Sequence, residues 1–329
     1  MKKTLLALAV AATATSAHAI EIFNQDNVTV NMAGDVEVFY MLDRAEKVDG
    51  VDNENDFKQG FGDANLAFDT RYQFNEQFQI GAFYEISALN ENDLPGNVSA
   101  GDVFVGLYTA DYGSIKVGSL ATQLDDAGIG ADYQFGIDAW VSDNVDGGNE
   151  AIRYDYDNGS FYGGFGLIQD KHNDNDISRD GHAYDVKLGY RVAGFDFTGF
   201  YADAELKGSG LNNESTVIAL EARYAGIENL NLEIGYYMGE SKDIDTGTKD
   251  IDTDVIAVAA DYTMGNTTFA AGYSNHSSSI AGENDVDSWF LNAGYALLPN
   301  TSVYAEVGGL DEKGAKYDTG FAVGIAASF

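Results

Sequence analysis

The sequence predicts an all-β fold, a sixteen-stranded antiparallel barrel that crosses a membrane, and three observations predict it. The composition is that of a turn-rich β protein, with 38 Gly, 20 Tyr, 19 Phe, two Pro and no Cys among 329 residues. Apolar residues recur at every second position through segments long enough for a tilted bilayer crossing of about ten residues. The connections between those segments alternate short and long, as they do when turns lie on one side of a membrane and loops on the other.

Composition also removes whole classes of function. Asp plus Glu number 53 against 18 Lys plus Arg, a formal net charge of −35. Nucleic acid is no partner for such a chain, because its phosphates are repelled. Hydrophobic residues make up 45%, too many for a disordered acidic chain. Without Cys there is neither a disulfide framework nor a thiolate ligand or nucleophile.

At the N-terminus, Met1-Lys2-Lys3 is a short positive start, Leu5 to Ala12 is apolar, and Ala17-His18-Ala19 is a small-x-small cleavage signal. The expected division is a cleaved signal peptide over 1–19 and a single barrel domain over 20–329. Loss of Lys2 and Lys3 leaves 16 basic and 53 acidic residues, a formal charge of −37. No other stretch approaches 18 consecutive apolar residues, so the mature chain is expected to hold no transmembrane helix.

Alternation then marks the strands. Val28, Val30, Met32, Val36, Val38 and Tyr40 share one face of the first, with Thr29, Asn31, Asp35 and Glu37 on the other. Ala64 to Tyr72, Phe78 to Ile86, Tyr184 to Tyr190, Ile218 to Tyr224, Leu232 to Met238 and Trp289 to Leu297 repeat the pattern. The last strand is predicted over 317–329, with Tyr317 to Phe329 on the lipid face. Short turns fall at Asn75-Glu76, Asp111-Tyr112-Gly113, Asn158-Gly159, Ala193-Gly194, 226–229, Gly265-Asn266 and Pro299-Asn300. Long acidic loops are expected over 43–60, 90–100, 121–148, 170–181, 205–213, 241–251, 278–284 and 311–316. Seven turns and eight loops join sixteen strands, and an even count lets the first and last strands meet antiparallel.

Charge placement fits a lipid-facing sheet. Asp35, Glu37, Asp69, Glu85, Asp102, Asp155, Asp185, Asp196, Glu221, Glu233, Asp261, Glu306 and Asp318 fall on the faces taken as inward. So do Arg71, Lys116, Arg153, Lys187, Arg191 and Arg223, and the opposite faces are expected to carry no charge. An Arg or Lys facing mid-bilayer hydrocarbon costs about 2–4 kcal/mol. A soluble sandwich also alternates, but strand length, the turn-loop asymmetry and the terminal Phe329 favour the barrel.

Glu21-Ile22-Phe23-Asn24-Gln25-Asp26 after the signal peptide and the aromatic strand ending in Phe329 resemble the general diffusion porins of Gram-negative outer membranes. Asp125-Asp126-Ala127-Gly128-Ile129-Gly130-Ala131-Asp132-Tyr133 and Tyr156 to Tyr162 are most similar to the porins of vibrios and photobacteria. The resemblance implies a homotrimer set in outer-membrane lipid and lipopolysaccharide, with the third loop folded inside each pore as a constriction. It further implies that the N-terminal residues pair with the last strand, and that Phe329 serves barrel closure and assembly.

Sixteen strands enclose a water-filled channel, whose selectivity follows from width and from lining charge. The third loop carries Asp125, Asp126, Asp132, Asp138, Asp143 and Asp146 and no basic residue, and Arg71, Lys116 and Arg153 are the nearby wall cations. Asp125, Asp126, Asp132, Asp138, Arg71, Lys116 and Arg153 are therefore the constriction candidates. Asp35, Glu37, Glu85, Lys187, Arg191, Glu221 and Arg223 are the wall candidates. In enterobacterial relatives a basic cluster on early strands faces an acidic loop; here the first strand and the fourth, Asp102 to Thr109, carry no inward base, and the loop lacks Pro-Glu-Phe-Gly-Gly. The resemblance thus leaves the eyelet residues open. The expected function is passive passage of ions and small hydrophilic solutes with a cation preference, without a cofactor. A substrate-specific channel and an adhesin or receptor acting through the acidic loops are the alternatives.

Catalytic and metal patterns are weak. His172, His182 and His276 are the mature chain's histidines, and neither Gly-x-Ser-x-Gly nor His-Glu-x-x-His occurs. Asp243, Asp245, Asp250, Asp252 and Asp254 loosely follow calcium-loop spacing, but Gly247 stands at the fifth position and no twelfth-position Glu follows. Neither an enzyme nor a metal site is expected.

Overall fold

A computed structural model describes residues 19–47, 55–89, 94–137, 146–173, 177–208 and 210–329. The predicted signal peptide falls outside the described residues except for its last alanine. The strands are β1 (Ile20–Gln25), β2 (Val28–Leu42), β3 (Lys58–Gln73), β4 (Phe78–Leu89), β5 (Pro95–Thr109), β6 (Gly113–Ala121), β7 (Gly147–Asp157), β8 (Phe161–Gln169) and β9 (His182–Val192). They continue with β10 (Phe195–Leu206), β11 (Asn213–Ile227), β12 (Leu230–Asp243), β13 (Lys249–Met264), β14 (Thr267–Ser278), β15 (Val286–Leu298), β16 (Thr301–Glu312) and β17 (Gly320–Ser328). Each pairs antiparallel with its sequence neighbour, and β17 pairs with β2, so β2 to β17 form a closed ring of sixteen strands. Closure leaves no free edge, which a sheet in lipid requires.

The seam differs from the expectation. β17 covers only one half of β2, from Phe321 opposite Leu42 to Ser328 opposite Asp35. β1 covers the other half, from Ile20 opposite Met32 to Gln25 opposite Val28. The N-terminal strand therefore lies in line with the last strand, and both pair with β2. The reason is length: nine residues of β17 cannot satisfy fifteen of β2, and unpaired backbone donors are costly. Asp26 and Asn27, with φ of 53° and 64°, make the tight reversal that returns β2 along β1; Asp and Asn tolerate that conformation better than most residues. Phe329 completes the seam, exchanging backbone hydrogen bonds of 2.9 and 3.0 Å with Gly34.

The last strand is shorter than predicted because Tyr317 forms an isolated bridge to Glu46. Asp318, expected on the inner wall, instead sits in the loop region, bonded to Lys47 at 2.5 Å and to Asn55 at 3.2 Å.

Outward positions carry the apolar side chains, such as Leu188 at 69% and Ile256 at 57% exposed. Inward carboxylates are covered, Glu306 to 1% and Asp185 to 1%. The outward face is not free of charge, however. β3 and β13 run to sixteen residues, beyond the roughly 9–11 needed to cross a bilayer. Near the loop ends of β13 and β15, Asp254 shares the face of Ile256, and Asp287 that of Trp289. Tyr236 and Tyr273 donate hydroxyl hydrogen bonds to these carboxylates. Past the hydrocarbon, headgroups and water remove the penalty that keeps mid-strand positions apolar. For the same reason Lys242 and Lys249, expected in a loop, lie in strands and pair with Glu240.

Gly34 sits beneath the Phe329 ring, where an added Cβ would lie 2.5 Å from Cζ. Gly34→Leu is expected to displace that ring and weaken the seam by about 1–3 kcal/mol, the usual cost of overpacking. The temperature at which the compact barrel band is lost in an electrophoretic heat-modifiability series should fall by several degrees. An unchanged temperature would show that the ring leaves its place at no cost.

Candidate functional site

The third long loop leaves β6 at Thr122 and rejoins the barrel before β7. It is described as far as Ile137, so Asp138 and Asp143 lie outside the described residues. From Thr122 to Ile137 it runs inside the barrel, because backbone N–H groups of its irregular chain find acceptors on the wall. Asp185 accepts from the Thr122 hydroxyl at 2.6 Å and the Leu124 N–H at 2.7 Å. Glu221 takes the Gly128 N–H, and Glu233 that of Gly130 at 2.7 Å. Glu306 takes three in succession, from Tyr133 and Gln134 at 2.7 Å and Phe135 at 2.6 Å. Gln134 donates to Glu37 at 2.9 Å, and Asn292 to the Ala131 carbonyl at 2.7 Å. Hydrogen bonds to charged acceptors contribute about 1.5–3 kcal/mol each, so this series fixes the loop's course.

Apolar contacts seat the same segment. Leu124 and Ile129 are buried against Phe200, Val217, Tyr237 and Val255. Tyr133 stacks flat on Tyr304, with centroids 3.9 Å apart and planes 1° from parallel. Phe135 fits over Gly308 and Gly320, where any Cβ would overlap its ring. Burial, with the charges of Glu306 and Glu37, pushes the Tyr133 phenol up to about 12, so it stays neutral.

At the loop root, Asp126 is bound by Arg153 at 2.6 Å and by Lys187. Arg153 also holds Asp155 at 2.9 Å and the Thr122 carbonyl at 2.7 Å, and Lys116 reaches Asp155 at 3.2 Å. Burial alone would raise the Asp126 carboxyl, but the Arg153 and Lys187 charges outweigh it and hold it below the ordinary carboxylate range.

Asp126, Lys116, Arg153 and Lys187 are thus brought together. Glu37, Glu221 and Arg223 meet the loop directly; Arg223 donates to the Gly128 carbonyl at 2.6 Å and pairs with Glu221 at 2.8 Å on the wall. Arg71 binds Asp69 at 2.6 Å on β3, away from the loop root, and Arg191 binds Asp157 and Asp196 at 2.8 and 3.2 Å toward the short-turn end. Asp35 accepts from Asn65, and the like charges around Glu85 are Asp102, Asp35 and Asp63. Asp125 adds a fifth carboxylate beside Asp102. Asp132 lies against Gly130 and Gly136 within the loop. Periodicity placed Asp185, Glu233 and Glu306 on the inner face but gave no sign that they anchor the loop; Tyr304, Asn292 and Gln134 were missed, because their partners across the lumen lie about 100 residues or more away in sequence. His172 contacts Glu150 and His182 stacks on Tyr184 near the loop ends.

A closed sixteen-stranded barrel with a loop strapped along its inner wall is a channel architecture. The family model described as Gram-negative porin matches residues 5–315. The chain belongs to that family. Porin-like protein H of Photobacterium profundum is 27% identical over the whole of both chains. OmpT of Vibrio cholerae in its trimer form superposes with a TM-score of 0.74 at 18% identity, covering 92% of this chain and all of that one. An anion-selective porin of Comamonas acidovorans gives 0.75 at 18%, with the same coverage. This porin is an outer-membrane channel protein of the Gram-negative type, and its fold does not dictate the sign of the ion it prefers. A cavity of about 1140 Å³ is lined mainly by outward side chains such as Phe165, Leu188, Phe197 and Ile256, and so belongs to the lipid side.

Two outcomes test the anchors. The depressed Asp126 carboxyl contributes fully above the ordinary value of about 3.9 and is lost as pH falls through its own lower value. Open-channel noise from this anchor should stay level from pH 7 to about pH 4 and rise below it, whereas Asp126→Asn should raise noise several-fold at neutral pH. Glu306→Ala, which strands three loop N–H groups, should raise the frequency of partial closures more than Asp126→Asn does. Equal noise in all three proteins would mean that the loop is held by its apolar contacts alone.

Proposed function

We propose that this porin carries ions and small hydrophilic solutes by passive diffusion and prefers cations. The supporting observation is the pairing state of the wall charges. Each of the six inward basic residues, Arg71, Lys116, Arg153, Lys187, Arg191 and Arg223, has a carboxylate within ion-pair distance. Asp35, Glu85 and Asp102 on β2–β5 have other carboxylates as their leading charged neighbours, among them Asp63 and the loop's Asp125, while Asp102 also has Lys116 and Arg153 nearby. Field from paired charges decays quickly, whereas a group of like charges keeps a net potential that concentrates counter-ions in the lumen. The acidic arc argues for cations.

A homotrimer is the proposed assembly, supported by the trimeric form of the OmpT neighbour. In planar bilayers, conductance steps should close in threes, and the reversal potential across a salt gradient should have cationic sign. A unit charge about 8 Å from a passing ion in water is worth about 0.5 kcal/mol, a factor of about two. Glu85→Gln with Asp102→Asn should therefore bring the cation-to-anion permeability ratio down by roughly two- to fourfold. A ratio unmoved by both substitutions, or an anionic reversal potential in the parent, would overturn the preference.

A further inference from the structure

We propose that the pore wall on β3–β6 holds a binding subsite for a small ring-shaped solute that carries an ammonium group. The subsite rests on the open-channel reading above and gives it a preferred solute class. Its centre is a pair of inward rings: Phe83 on β4 lies directly opposite Phe104 on β5, with centroids 5.1 Å apart and planes 15° from parallel. Both rings are only half-buried, so the pair presents apolar surface to a water-filled lumen. Wall solubility does not call for that surface, and the opposed position would more cheaply hold polar side chains.

Toward the long-loop end, two residues further along each strand, the same faces carry Glu85 and Asp102. A β-bulge sets them side by side, since two residues of β5, Gly101 and Asp102, lie between Val103 and Ala100 while only Glu85 of β4 lies between Tyr84 and Ile86. Bulges of this kind re-aim a side chain. Gly101 makes the arrangement possible, because a Cβ there would lie 2.2 Å from the Glu85 carboxylate. Toward the short-turn end, Arg71 lies over the Tyr108 ring at 3.4 Å and is held by both oxygens of Asp69, at 2.6 and 2.7 Å. Gly81 and Gly106, opposed in register, let this stack lie flat on the wall, for added Cβ atoms would meet Arg71 at 2.9 Å and Tyr108 at 2.6 Å. Lys116 borders the strip, 5.8 Å from the Phe104 centroid.

A solute passing inward therefore meets two adjacent carboxylates, then two stacked rings, then a guanidinium with its carboxylate. An ammonium group satisfies the first. The C–H face of a pyranose, or an aromatic face, covers the second through dispersion and removal of apolar area from water. Hydroxyl groups of the same solute have donors and acceptors at Arg71 and Asp69. Amino sugars combine these features. A neutral sugar lacks the charge, and an acyclic amine lacks the face.

Current through single trimers in planar bilayers, titrated with glucosamine, glucose or ethanolamine, tests the subsite. Glucosamine should reduce the current saturably, while glucose and ethanolamine give no saturable reduction over the same range. Phe83→Ala and Glu85→Gln should each raise the half-blocking glucosamine concentration several-fold. Phe83 is the ring to remove, because Phe104 also packs against the buried cluster at the loop root; if Phe83→Ala does not give a conducting trimer, Glu85→Gln carries the test. A conducting channel through which glucosamine passes without saturation, or a block unchanged in both variants, would overturn the subsite while leaving the channel intact. A folded trimer with no conductance would overturn the channel reading and the subsite together.

Discussion

Carboxylates on the inner wall that accept backbone N–H groups from the third loop are the interaction on which the pore depends. A loop inside a barrel lumen has no strand partner, yet its amides must bond to something. Water would serve, but water leaves the loop free to move across the channel. Asp185, Glu221, Glu233 and Glu306 replace water with fixed acceptors from four different strands. Their spacing around the barrel draws the loop along the wall from β9 to β16 and decides which part of the lumen stays open.

That use of acid changes how the charge of the chain is understood. A formal charge of −35 suggests a strongly anionic pore, but part of the inner acid is bound to loop amides and part is bound to the six wall bases. Neither part contributes its full charge to a passing ion. On the proposed cation preference, the charges that act on the ion are the smaller set on β2–β5, where Asp35, Glu85 and Asp102 neighbour other carboxylates. An anion-selective protein shares this fold at a TM-score of 0.75, so the fold by itself does not set the sign of the selectivity.

The barrel was legible in the sequence because lipid imposes a period of two on every strand, and one violation in mid-membrane costs as much as a cap or a small cavity. Loop ends were less legible for the same reason: the constraint lapses past the hydrocarbon, so Asp254 and Asp287 face outward and Lys242 lies within a strand. The seam was misplaced because alternation says which face a residue takes but not which neighbour pairs with it; Tyr317 and Asp318 keep the pattern of β17 while bonding to Glu46 and Lys47. Glu37, Glu221 and Arg223 fell on the predicted face, but their work for the loop depends on Gln134 and Gly128, about 90 residues or more distant. Patterns within one strand do not carry contacts of that range.

Glycine links composition to the pore in a second way. Many of the 38 Gly lie within strands, where they weaken a sheet unless something approaches closely. Here the approach is by inward aromatic rings: Phe290 lies over Gly272, Tyr304 over Gly324, Phe39 over Gly60, and Phe135 over Gly308 and Gly320. A ring laid flat on a glycine takes less of the lumen than one standing out from the wall, and it offers its other face to the loop, as Tyr304 offers its face to Tyr133. The same device at Gly81 and Gly106 flattens Arg71 and Tyr108 beside the half-buried Phe83 and Phe104 pair. Aromatic and glycine content, which in the sequence marked only β structure and turns, together set how far the inward rings stand from the wall.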